Sequence, residues 1–470
     1  MTYPKIIESC LPLLRVLTNY NVQDIALVNV LNSKLTYMVS LKNVTFRQFE
    51  TSIAKPLAYY AINFMSSGAS KDFTVDCINN YLLDFLEPYL EDKLDNYKKM
   101  YYEEQYNSRV IPANPKNKAK IEEEIEQEIK SFRVINTEIE EANLNGVYEE
   151  AKQIEKIGTG ALFIRIPELG DYIDSATKSD KDKRNLMKKL KNIYEGTITP
   201  SIISGDKGRK PIKNIPVQAV MYTDFENLIA GENNAFFKEM LKTGYARRCF
   251  IYMPKSEDVQ INYPVEHEVV TEYLKFSSNI RDELFRIFNT LTANTLSFSK
   301  EAQDLVYKYK CTCIDEVNKL KRKKSIVATD LSESFWKIQK LSVLYQVLDE
   351  PCATEIDSEH LQMAIDFYKE IQPSLTYVIE RKTETPIEKL AEYIYEHKDD
   401  MIYTMDLRKT KILGCTNNFK KNFEDIFEDL NQELETHYGY TLINAKGDRN
   451  RKGLKLVKLK SEEKDILTEL

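Results

Sequence analysis

Hydrophobic and polar positions along this chain follow two alternating periods. Leu11, Leu14 and Leu17, then Ile25, Val28 and Leu31, recur at steps of three, which predicts amphipathic helices over residues 1–55. Pro56 marks a boundary, and the unbroken apolar run 59–65 reads as a buried strand. Small residues fill 66–70, after which 73–98 returns to a helical pattern through Ile78, Leu82, Leu83, Phe85 and Leu86. Residues 99–131 are densely charged, and Ile121, Ile125 and Ile129 at steps of four predict one long solvated helix with a single buried stripe. Residues 132–135 look β-like, and helix is predicted again up to Ile157.

The strand–helix alternation then continues. Residues 161–166 form an apolar run that ends near Glu168, and 182–194 read as helix. A glycine-rich basic segment at 203–212 carries a hairpin signal. The run 217–221 leads into Tyr222, Thr223 and Asp224; 225–241 reads as helix, and 249–253 as a strand closed by Pro254. This order predicts an α/β domain with a mainly parallel sheet over 56–256, carrying the charged helical insertion 99–131. Residues 268–380 read as helical throughout, with Trp336 in a buried helix at 333–348. The segment 386–460 changes character to three helices followed by two β segments, a winged-helix order, and 461–470 remain as a tail.

Composition narrows the class. The 470 residues suffice for several domains, and 42% hydrophobic with 30% charged residues suits a globular protein. No run of eighteen apolar residues occurs, and the N-terminal segment has no basic leader before an apolar stretch, so no membrane partner and a cytoplasmic location are expected. Seven scattered cysteines fit reduced thiols; the pair Cys311 and Cys313 lacks the second pair or histidine that a zinc site needs. The net charge of −7 means that nucleic-acid contacts must come from local basic patches.

Candidate chemistry starts between the first strand and the next helix. Ser66, Ser67, Gly68, Ala69 and Ser70 are followed by Lys71 and Asp72. Strand, small-residue loop, lysine and helix together form a phosphate cradle: amides approach the oxygens, the helix dipole helps, and the lysine neutralises charge. In G-x-x-x-x-G-K-[ST] register, Met65, Ser70 and Asp72 replace the two glycines and the hydroxyl. A plain strand–turn–helix is the competing reading. Glu168 stands where a carboxylate would polarise an attacking water, Thr223 where a polar group would sense a phosphate, and Arg247 and Arg248 where a guanidinium would stabilise developing charge, in cis or from a neighbouring subunit.

On these residues the chain resembles the phage, plasmid and prophage P-loop proteins described as primase- or replicative-helicase-like, which are RecA-like or AAA+-like ATPases. The resemblance rests on Ser67-Gly-Ala-Ser-Lys-Asp72, Pro167-Glu-Leu-Gly170 and Gly244-Tyr-Ala-Arg-Arg248, and extends over about residues 10–375. It implies an α/β P-loop NTPase core flanked by helical regions, with ATP and Mg2+ as ligands. It also implies assembly into a homo-oligomer, such as a ring, in a bacterial host cell with DNA and replication proteins as partners. The aspartate that holds Mg2+ in that family corresponds to Pro167; Asp72 would have to supply a metal ligand instead, or metal binding and hydrolysis have been lost. The second alternative makes the protein an adaptor that binds DNA and partners without turnover. Priming needs a metal-bound acidic cluster, and no convincing D-x-D motif for one appears. For DNA the candidates are Lys207, Arg209 and Lys210 in the first basic loop, and Lys446, Arg449, Arg451, Lys452 and Lys455 between and within the last β segments.

Overall fold

The structure, a computed structural model, describes residues 2–49, 51, 53–65, 71–140, 142–200, 210–225, 228, 233–254, 262–320, 325–380, 386–398, 400–410, 412, 423–424, 426–446 and 452–458. The chain forms two compact units, Met1–Arg381 and Lys382–Leu470, each with its own hydrophobic core.

Helices α1 (Lys5–Leu17) and α2 (Asp24–Ser40) open the first unit. α2 is buried continuously from Ala26 to Ser40, so its polar side chains must find partners inside. Asn29 donates to Asn63 Oδ1 at 2.9 Å and accepts from Tyr59 OH at 2.7 Å; Asn32 donates to Tyr345 OH at 3.1 Å. Next, β1 (Thr45–Arg47) and β2 (Ala54–Pro56) pair antiparallel and lead into β3 (Ala58–Phe64), every residue of which is buried. A strand covered on both faces reads as a continuous apolar run rather than an alternation. Tyr59 and Asn63 meet α2 on one face, while Tyr60 donates to Leu190 O at 3.2 Å on the other.

After β3 come α3 (Lys71–Tyr81), α4 (Leu86–Gln105) and α5 (Pro115–Lys130). The single long helix expected over 99–131 is two helices. Asn114 caps α5 with Pro115 in its first turn, and α5 folds back so that Arg109 pairs with Glu124 at 3.1 Å and Glu128 at 3.0 Å. The β-like stretch 132–135 is not a strand; β4 (Ile139–Glu140) lies just beyond it. Then follow α6 (Leu144–Ile157), β5 (Leu162–Ile166), α7 (Leu169–Lys178), α8 (Lys181–Ile193), β6 (Thr197–Ile198), β7 (Ile212–Lys213), β8 (Val217–Thr223), α9 (Asn234–Met240) and β9 (Cys249–Tyr252). Five strands make one all-parallel sheet in the order β4-β5-β8-β3-β9.

The segment expected to be helical throughout contains α10 (His267–Thr290), α11 (Lys300–Lys319), α12 (Ile326–Asp349) and α13 (Ser358–Glu380), but also β10 (Thr295–Phe298) and β11 (Glu355–Ile356). These two strands join β1 and β2 in a second sheet, order β11-β10-β1-β2, which ties the N-terminal region to the helical one. Strands of two to four residues are too short for a period-2 pattern to stand out, so sequence periodicity passes over them.

The second unit begins with α14 (Pro386–Glu396) and α15 (Thr404–Lys409), continues with the helix Phe427–Glu433, and ends in the antiparallel hairpin β12 (Tyr440–Lys446) and β13 (Lys452–Lys458). Between α14 and α15, Ile402 forms an isolated antiparallel bridge to Leu454 through backbone bonds of 3.0 and 2.8 Å.

Among the described residues of the first unit, Lys34, Lys337 and Lys340 sit in the core. Lys34 pairs with Glu138 at 2.6 Å, and Arg165 binds Glu138 at 3.0 Å and Asp76 at 2.8 Å. Burial alone would raise the Glu138 carboxyl, but the Lys34 and Arg165 charges hold it below its usual range. Lys340 donates to Tyr194 O at 2.8 Å and lies 3.7 Å above that ring. Burial pushes its ammonium down to about 7, against the pull of Glu195 and with the help of Lys55 and Arg248.

Unfolded lysine titrates near about 10.4. Between about 7 and that value the unfolded chain holds a proton that folded Lys340 has released, so this residue makes stability rise with pH across the window. Urea midpoints measured at several pH values should climb more steeply for the native chain than for Lys340→Met. Equal slopes would contradict the assignment.

Candidate phosphate-binding site

Parallel pairing sets the site's position. The registers Phe64↔Thr223 and Ile166↔Met221 bring the carboxyl ends of β3, β8 and β5 side by side. Met65 N donates to Thr223 O at 2.9 Å and carries the β3–β8 pairing one residue past the strand. The chain leaves β3 for the far edge, returns through β4, β5 and β8, and then crosses to β9 on the other side of β3. A crevice outside the carboxyl ends, where strand order reverses, is where open α/β sheets take their ligands.

Lys71 is the first residue of α3, so the helix opens at this end of the sheet with its unpaired N–H groups and positive dipole. Ser66, Ser67, Gly68, Ala69 and Ser70 lie outside the described residues, as do the side chains of Lys71 and Asp72.

Glu168 and Thr223, singled out separately in the sequence, meet here. Glu168 follows β5 in an extended conformation and caps α7, accepting from Gly170 N at 3.3 Å. Thr223 ends β8 fully buried, and its Oγ1 lies 3.0 Å from Glu168 Oε1 and 3.1 Å from Asp224 O, two acceptors for one hydroxyl proton. Both donors meet the same carboxylate oxygen, Oε1, and so hold Glu168 at the end of β8, the strand between β5 and β3. For Mg2+ the described side chains do not make a site. Pro167 offers no ligand, Glu168 is engaged as stated, and no group of three or more His, Cys, Asp or Glu among the described residues could hold a metal ion.

Arg247 and Arg248 are not brought to this place. They precede β9, and Cys249 stands opposite Tyr60, near the amino end of β3. From Tyr60 to Met65 the strand rises roughly 16 Å, at about 3.3 Å per residue. Arg247 forms an ion pair with Glu333, and Arg248 donates to Gly244 O at 3.0 Å and lies 3.9 Å from Glu195. The turn that carries them is held by residues that sequence reading missed. Lys337, buried on α12, donates to Ala246 O at 3.1 Å and Cys249 O at 2.9 Å and pairs with Asp330 at 2.7 Å; Tyr368 OH closes the set on Asp330 at 2.6 Å. No local signal marks these partners, because they lie about eighty residues or more beyond the turn in sequence.

Of the DNA candidates, Lys207, Arg209, Arg449 and Arg451 lie outside the described residues. Lys210 is exposed just before β7, which pairs antiparallel with β6. Lys446 and Lys452 face each other as the last register pair of the second unit's hairpin, and Lys455 is exposed on β13. No protein-family model matches the chain, and no curated protein does.

Gly244 has φ +128°, and a Cβ there would stand 2.8 Å from Arg248 Nη1 and 3.3 Å from Arg247 Nε. Gly244→Ala should destabilise the fold by roughly 1–3 kcal/mol through backbone strain and displaced guanidinium groups. A urea denaturation series checks this, and an unchanged midpoint would contradict the geometry.

Proposed function

We propose that the chain is an oligomeric P-loop ATPase of the replicative helicase or loader kind, acting on DNA. The observation that carries this reading is the Thr223–Glu168 pair, set beside the loop-bearing end of β3 and the start of α3. In this reading residues 66–70 and Lys71 cradle the phosphates. Glu168 aligns the attacking water, and Thr223 holds that carboxylate in place and senses the phosphate. The sheet order supports the reading: one strand, β8, stands between the loop-bearing strand and the acid-bearing strand, as in RecA-like and AAA+-like cores.

Arg247 and Arg248 act on the site of a neighbouring subunit, since their own site is at the other end of the sheet. The second unit supports the DNA half of the proposal. Its order of helix, bridge, helix, helix and hairpin, with Ile402 paired to Leu454, fits a winged helix, and Lys455 and Lys458 are exposed on the hairpin. Pro167 favours a second reading, a nucleotide- and DNA-binding adaptor that has lost turnover.

Titration with ATP, in Mg2+ and in chelator, separates these readings. Lys71→Ala should weaken binding at least about tenfold, or ~1.4 kcal/mol. Glu168→Gln should leave affinity nearly unchanged while lowering any turnover by roughly 100-fold. Tight binding without hydrolysis in the native chain would select the adaptor; equal affinity of native and Lys71→Ala protein would rule out both.

The tail makes a separate prediction. A fragment spanning 382–470 should bind duplex or forked DNA through its hairpin, with affinity that falls steeply with salt and depends little on sequence. Replacing Arg449, Arg451 and Lys452 with alanine should flatten the salt slope by about 3. A folded fragment that binds no DNA at low salt would remove DNA contact by the hairpin from the proposal.

A further inference from the structure

A second pocket lies away from the carboxyl ends of the sheet. It has a volume of about 440 Å3, within the roughly 300–1,000 Å3 of small-molecule sites, and is formed where the end of α2, α4, the turn after α6 and the approach to β10 come together. Thr159, on its wall, comes just before β5 and so lies toward the amino end of that strand.

Two ammonium groups face this pocket without a counter-ion. Lys42 Nζ lies 4.1 Å from the Phe288 ring and 4.9 Å from the Tyr89 ring; Lys93 Nζ lies 5.3 Å from the same Tyr89 ring. Neither forms an ion pair with a carboxylate among the described residues. Burial and the neighbouring Lys93 charge both lower the Lys42 pKa, the signature of a cation held against repulsion. Helix-end carbonyls that would repel an anion are already occupied. Thr159 Oγ1 donates to Leu41 O at 3.0 Å, and Asn43 Nδ2 to Gly158 O at 3.3 Å.

The rest of the lining suits a flat ring. Tyr97 and the exposed Met100 form one wall, and Asn96 contributes an amide that can meet polar edges. Cations beside aromatic faces are the combination by which proteins hold nucleotides and single strands, the base stacking while the phosphate is neutralised.

We propose that this pocket binds a phosphorylated nucleoside, with Lys42 and Lys93 on the phosphate and Tyr97 against the base. The ligand is either a free nucleotide or a nucleotide unit of a single strand. The site is distinct from the one at Lys71, so the test uses full-length protein carrying Lys71→Ala. Two probes are photo-crosslinked to it: iodouridine monophosphate and an iodouridine-bearing oligonucleotide. Affinities are measured in parallel for each and for inorganic phosphate.

Cross-linking of either probe to the peptide bearing Tyr97, with roughly tenfold weaker binding in Lys93→Glu, at a half-buried position, and in the milder Lys42→Gln, supports the proposal. The mononucleotide alone then identifies a free ligand, and the oligonucleotide alone a strand. Unchanged affinity in both folded variants overturns the site. Inorganic phosphate binding as tightly as the mononucleotide overturns the role of the ring.

Discussion

All five strands of the main sheet run the same way, and the placement of Glu168, Thr223, Arg247 and Arg248 follows from that constraint. Parallel pairing gathers the residues that follow β3, β5 and β8 at one end and those that precede β9 at the other. The start of α3, Glu168 and Thr223 therefore share one end of the sheet, and Arg247 and Arg248 lie at the other. Under the proposed function, an arginine at that site would have to come from a second copy of the chain.

A parallel sheet must be covered on both faces, and this chain covers it with helices that carry polar groups inward. α2 answers the sheet with Asn29, whose amide bridges Asn63 and Tyr59, and α12 answers it with Lys337 and Lys340. Lys337 and Lys340 each find carbonyl acceptors, and Lys337 also finds a carboxylate. Burying such groups yields little net stability, but a misplaced one is costly, so they fix which helix lies where. Lys337 illustrates the point: it grips the backbone on both sides of the arginine turn and so sets the guanidinium groups at the amino end of β9.

What could be read from the sequence was whatever depends on neighbours in the chain. Continuous apolar runs marked β3, β5, β8 and β9, because strands buried on both faces need no polar alternation. Glu168 and Thr223 were recognised one at a time, each by its position at a strand end. Their hydrogen bond could not be read, since it depends on β8 lying next to β5. The sheet of β1, β2, β10 and β11 escaped notice because its strands are short and their partners lie up to about 250 residues apart, as Thr45 and Thr295 do. The break at Asn114-Pro115 was legible in principle as a cap followed by a first-turn proline, but the regular isoleucine spacing beyond it outweighed that signal.

The central claim is that phosphates bind at the carboxyl ends of β3, β5 and β8. An experimental structure of the protein with a non-hydrolysable ATP analogue tests it most directly. The account predicts the terminal phosphates between residues 66–71 and the Glu168–Thr223 pair, with an arginine from a neighbouring subunit approaching from outside. An analogue bound elsewhere, with that crevice closed by side chains, would contradict it.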